Sequence, residues 1–165
     1  MTEILTAELK NALYVFFISM LPIVELRGSI PVGATLGVTW WVNYLVSTVG
    51  NLLPVPFILL FIRAILRWMK TVRFLKFDKI AMWVEEKAHK HSGKVQKYGA
   101  LGLYLFVAVP IPGTGAWTGA LIAALFDVRM KKALPAITLG VLTAGVIMTL
   151  ASYGVLGFLK FLLPS

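Results

Sequence analysis

Apolar residues run through this chain in blocks, at 11–21, 40–62, 101–109, 116–126 and 135–153, and not in the strict alternation of a half-buried strand. Blocks of this length and continuity predict helices. Two of them, 40–62 and 135–153, are long enough to cross hydrocarbon about 30 Å thick. The block at 11–21 covers only about 16 Å as a helix, and that at 101–109 about 14 Å. Prolines and glycines close both: Pro22, Gly28, Pro31 and Gly33 after the first, Pro110, Pro112, Gly113 and Gly115 after the second. Each short block therefore reads as one arm of a hairpin that goes halfway in, turns, and comes back. The first turns at 25–28 and returns near 37–41; the second returns through 116–126. Irregular backbone at that depth is tolerated only under cover of protein or an aqueous cavity.

Between the halves the period changes. Phe77, Ile80, Ala81, Val84 and Ala88 fall at helical spacing with charges opposite, which predicts a basic amphipathic helix lying on the cytoplasmic membrane surface. The order is hairpin, crossing, basic linker, hairpin, crossing. Repeat 1 occupies about 9–62, the linker 63–98 and repeat 2 about 99–162 of a single polytopic membrane domain. The halves start on opposite sides of the membrane, so the expected fold is all-α with two inverted-topology repeats.

Composition agrees: 59% hydrophobic residues, 14% charged and a mean hydropathy of +0.85 describe an integral membrane protein. There is no cysteine, hence no disulfide or thiolate metal site. The formal charge is +9, with ten Lys and Arg against three acids between positions 63 and 97 and three against one between 127 and 132. A basic chain can signal nucleic acid, but these charges sit beside apolar spans, where the positive-inside rule explains them. They place the linker and the 127–132 loop in the cytoplasm of a cell (inner) membrane protein, with both termini outside. Residues 1–10 lack the pattern of a cleaved signal and read as mature protein. His89 and His91 have no third ligand nearby and read as solvated surface. No cofactor or metal is expected.

Candidate chemistry gathers at the hairpin turns. Glu25 and Arg27 lie in apolar surroundings, where each charge costs roughly 2.5–3.5 kcal/mol on the insertion scale. A lipid-facing position is excluded. Gly28 and Ser29 would open the returning arm of the first hairpin, and Gly113, Thr114 and Gly115 that of the second. Half-helix N-termini turn N–H groups and partial positive charge toward an anion, and Arg27 adds a fork suited to phosphate or carboxylate. Glu25 is the candidate proton site. The alternative is a buried pair that only holds the hairpins together. The polar face of Asn43, Ser47, Thr48, Gly50 and Asn51, followed by Pro54 and Pro56, either lines the site around Glu25 or, on the stronger reading, is small-residue helix packing and a proline kink. Trp117 is either a substrate contact or, on the stronger reading, packing. Enzymatic chemistry finds no support: Glu25 has no second acid, Ser29 no histidine, and no acidic cluster offers a magnesium site.

The runs Glu25-Leu-Arg-Gly-Ser-Ile-Pro31, Gly50-Asn-Leu-Leu-Pro-Val-Pro-Phe57, Tyr98-Gly-Ala-Leu-Gly102 and Pro110-Ile-Pro-Gly-Thr-Gly-Ala-Trp-Thr-Gly-Ala120 resemble those of the small multidrug export proteins. That family is in turn distantly similar to the DedA/VTT membrane proteins, whose second half carries arginines absent from the second hairpin here. The resemblance implies facing re-entrant hairpins and proton-linked movement of lipid carriers such as undecaprenyl phosphate, or scrambling of phospholipids. The expected function is secondary transport or flipping of an amphipathic anion such as a lipid phosphate, coupled to protons. The alternatives are efflux of small lipophilic drugs and a structural or assembly role. Membrane lipids are expected partners. So few crossings leave polar hairpins poorly shielded, so a homo-oligomer, first a dimer, is expected.

Overall fold

The computed structural model of the chain describes residues 2–71, 99–111, 114–126 and 128–162. The described residues form seven helices and no strand: α1 Thr2–Ser19, α2 Glu25–Thr35, α3 Trp40–Leu52, α4 Pro54–Thr71, α5 Gly99–Ala108, α6 Ala116–Leu125 and α7 Met130–Leu162. Of the linker expected at 63–98, residues 63–71 continue α4; the rest, 72–98, with the expected amphipathic helix and His89 and His91, lies outside the described residues, as does Gly113.

Trp40–Phe61 and Met130–Phe158 are long and apolar enough to cross a membrane. These are the two crossings expected from run length. Within the first, a single residue, Leu53, separates α3 from α4. Pro54 has no N–H to give the Gly50 carbonyl, so the helical ladder is interrupted there, and proline is well placed to open α4.

The segments before the crossings are helical hairpins. α1 packs along α2, and their open ends are tied together: the Asn11 amide donates to the Leu36 carbonyl at 3.1 Å, and the Thr39 N–H donates to Glu8 at 3.1 Å. Two boundaries differ from expectation. α1 reaches back to Thr2, because Glu, Leu, Ala and Lys ahead of the apolar run are themselves good helix formers. α2 opens at Glu25, not at Gly28. The turn is already complete by Val24, closed by Leu21 N–H to the Ile18 carbonyl and Glu25 N–H to the Leu21 carbonyl. In the second hairpin, Val107 of α5 packs over Gly119 of α6, where an added Cβ would come within 2.7 Å of Val107 Cγ2. α6 buries a stripe of small residues, among them Ala116, Ala120 and Ala123, so its backbone approaches its neighbours closely.

Each hairpin also packs against the crossing of the other half: α2 against α7, and α6 against α4. Leu26 and Ile30 of α2, Leu59 of α4, Val107 of α5, and Ile137 and Val141 of α7 share one buried apolar cluster. Large apolar side chains also cover the outside, including Phe17, Val49, Phe57, Leu105, Leu150 and Phe158. A chain that turns this much aromatic and aliphatic surface outward is built for a lipid solvent.

Candidate functional site

The tips of the two hairpins meet, and Glu25 and Arg27 make the contact. Residues two apart on a helix do not normally face one another. Here Glu25 stands at the first position of α2 with φ +48°, a left-handed conformation that a residue with a Cβ rarely adopts. Arg27 reaches back across the turn, and its Nη1 donates to Glu25 Oε2 at 2.9 Å. The carboxylate is almost fully buried and the guanidinium largely so, at 7% and 14% side-chain exposure.

Each member of the pair closes one end of the break in the second hairpin. Glu25 Oε1 accepts the N–H of Trp117 at 3.1 Å, and the Ala116 amide lies against the same carboxylate. These are the first N–H groups of α6, which have no partner inside the helix. Gly115, the residue before them, passes so close that an added Cβ would overlap Glu25 Oε2. Arg27 Nη2 donates to the carbonyls of Val107 and Val109, at 3.0 and 3.1 Å, and to the Thr114 hydroxyl at 3.1 Å. Thr114 Oγ1 is held in turn by the carbonyls of Val109 and Ile111, both at 2.9 Å. A negative charge thus sits at the N-terminus of α6 and a positive one at the C-terminus of α5, each opposing the helix dipole it meets. The indole of Trp117 donates to the Met20 carbonyl at 3.1 Å, a second tie between the tips.

Glu25, Arg27, Thr114, Gly115 and Trp117 therefore come together. Gly28 and Ser29 do not open α2. Gly28 lies a turn inside it against Val24, and the buried hydroxyl of Ser29 bonds that of Ser47 at 2.9 Å. In α2 the N–H groups of Glu25 and Gly28 are tied to the Leu21 and Val24 carbonyls, while in α6 the first N–H groups meet the Glu25 carboxylate. The occupant could not be read locally, because the carboxylate and the amide it accepts are 92 residues apart.

Ser29 belongs to a polar ladder between α2 and α3. Asn43 donates to the Ile30 carbonyl at 2.8 Å, meets the Tyr153 hydroxyl at 2.9 Å, and accepts from Ser47 at 3.3 Å. Tyr153 donates to the Val38 carbonyl. Gly33 faces Asn43 with no room for a Cβ. Asn51 lies one turn beyond Ser47 on the same strip of α3. It is completely buried, and neither its Nδ2 nor its Oδ1 has a partner among the described residues. Tyr153 is not among the sequence candidates, and Thr138, Thr143, Thr149 and Ser152 on the same helix give a lone tyrosine little prominence. The carbonyls of Met20, Val107 and Val109 leave no signal at all.

The model of a protein family described as "Putative small multi-drug export protein" matches residues 25–147, from Glu25 of the buried pair into α7. Among curated proteins and among solved structures, nothing matches the chain.

Proposed function

The chain belongs to the small multi-drug export protein family, and from that premise we propose a secondary transporter that moves an amphipathic anion, such as a lipid phosphate, coupled to a proton on Glu25. The observation that carries this reading is the seat of the Glu25 carboxylate on the Trp117 amide and on Arg27. Amides at a helix N-terminus and a guanidinium are what an oxyanion needs, and here an ionisable group of the chain fills them. A proton on Glu25 removes the competing charge and leaves Arg27 and the α6 amides for a substrate oxyanion. Loss of the proton restores the pair and expels the anion. Thr114 and Gly115 shape the seat, and Trp117 holds the tips together.

The same reading makes both hairpins re-entrant and the halves inverted repeats. Supporting it are α2 and α6, of 11 and 10 residues, each too short to cross, and the exchange of partners in which α2 meets α7 while α6 meets α4. The positive-inside rule puts the basic linker in the cytoplasm of the inner membrane and both termini outside. A homodimer would shield the polar tips from lipid.

The family description favours a second reading, efflux of lipophilic drugs. A cationic drug would depend on Glu25 and tolerate replacement of Arg27, whereas an anion needs both. The test uses proteoliposomes with a pH gradient and two cargoes, a fluorescent lipid phosphate and a lipophilic cation. Gradient-driven movement of the lipid phosphate, lost in Arg27→Ala, supports the anion reading. Movement of the cation alone, unaffected by Arg27→Ala, overturns it.

A further inference from the structure

The spacing of the α2–α3 ladder says where Asn51 lies. Its closed contacts pair Gly33 with Asn43 and Ser29 with Ser47. Both helices step by four residues in opposite directions, so one more turn along each pairs Glu25 with Asn51. The strip of α3 that carries Asn43 and Ser47 toward α2 thus carries Asn51 to the level of Glu25. Asn51 is 0% exposed with both ends of its amide unpartnered, and a buried amide that bonds nothing is costly to keep. It offers one donor and one acceptor side by side. A carboxylate, which only accepts, could satisfy Nδ2 and would leave Oδ1 bare. A protonated carboxyl satisfies both, its carbonyl oxygen accepting from Nδ2 while its O–H donates to Oδ1.

Resting on the transport reading above, we infer that Asn51 is the second seat of Glu25, a positioning residue that receives the carboxyl in its protonated form. The ionised carboxylate sits on Arg27 and the α6 amides. On taking a proton from water it turns to Asn51 and makes a two-point acid–amide pair, which clears the first seat for the substrate oxyanion. On release of the proton to water the carboxylate returns. Arg27 is the sole charged side chain among the described residues that acts on Glu25. α3 brings Asn51, α5 carbonyls and α6 amides, none of them ionisable. The switch therefore has two positions, selected by one proton.

The test is pH-difference infrared spectroscopy on the full chain reconstituted in phosphatidylcholine vesicles, with no cargo added. Glu25→Gln identifies the carboxyl band of Glu25, and Asn51→Leu removes the second seat while keeping the number and branching of the side-chain heavy atoms. The expected result is a band in the parent that is absent in Glu25→Gln. In Asn51→Leu it shifts to higher frequency, as a carbonyl that has lost a hydrogen bond does, and needs a lower pH to appear. The melting temperature of Asn51→Leu should equal or exceed that of the parent, because the leucine removes an unpaired buried amide. A Glu25 band identical in parent and Asn51→Leu overturns the second seat and leaves the proton site standing. A large loss of stability in Asn51→Leu also overturns it, since the amide would then be bonded in the resting state. If no band disappears in Glu25→Gln across the pH range where the protein stays folded, Glu25 takes no proton and the coupling reading falls with the switch.

Discussion

Removing one member of a buried ion pair costs more than removing both, because the survivor is left charged and unpaired. Arg27 meets Glu25, two carbonyls and a hydroxyl at once. Arg27→Ala should accordingly cost about 3–5 kcal/mol, and Glu25→Gln with Arg27→Ala distinctly less, read as thermal unfolding in detergent. Equal losses in the single and double variants would mean that the charges do not act as a pair. Arg27→Lys keeps the charge but loses the planar fork, so it should fall between parent and Arg27→Ala. Gly115→Ala puts a methyl where Glu25 Oε2 lies. Overpacking of this kind costs about 1–3 kcal/mol, and it should also displace the carboxylate from the α6 amides. A Gly115→Ala protein as stable as the parent would contradict the close approach.

The hairpins are held by their tips and by the ladder behind them, and the two parts differ in how far the sequence discloses them. Run length finds the crossings, since 40–62 and 135–153 are the longest apolar blocks and contain most of the spans the fold presents. Proline and glycine find the breaks. Gly115 announces the opening of α6, since it is the residue just before it. Local chemistry misses the start of α2 by a turn, since nothing at Glu25 advertises a positive φ. It also misses why Trp117 is there, because its two partners, Glu25 and the Met20 carbonyl, lie in the other hairpin. Asn43 and Ser47 are legible as polar residues inside a crossing, but what they bond depends on α2 and α7 being adjacent. That adjacency yields a prediction. Asn43→Leu strips bonds from the Ile30 carbonyl, Ser47 and Tyr153, and each buried group left unsatisfied costs about 1–3 kcal/mol. The melting temperature should fall clearly, and an unchanged value would mean that the ladder contributes nothing to packing α2 on α3.

For the molecule as a whole, the transport reading stands on topology and then on coupling. The chain contains no cysteine, so single cysteines report sidedness cleanly. Those replacing Lys10 or Leu36, near the tied ends of the first hairpin, should react with an impermeant maleimide from outside intact cells. Those replacing Ser92 or Lys131 should react only after permeabilisation. Lys10 and Leu36 on opposite faces would make the first hairpin a span and end the inverted-repeat reading. Glutamine at Lys87, Lys90, Lys94 and Lys97 should weaken attachment to anionic lipid by about 1 kcal/mol per charge while flux survives. Coupling is tested most directly by comparing two fluxes in one set of proteoliposomes, for the parent and Glu25→Gln. One is exchange of labelled lipid phosphate between leaflets at equal pH, and the other is its net movement driven by a pH gradient. Glutamine imitates the protonated carboxyl permanently, so Glu25→Gln should keep exchange and lose both gradient-driven net movement and pH dependence. Net movement that follows the gradient as well in Glu25→Gln as in the parent would contradict a proton on Glu25 as the coupling ion.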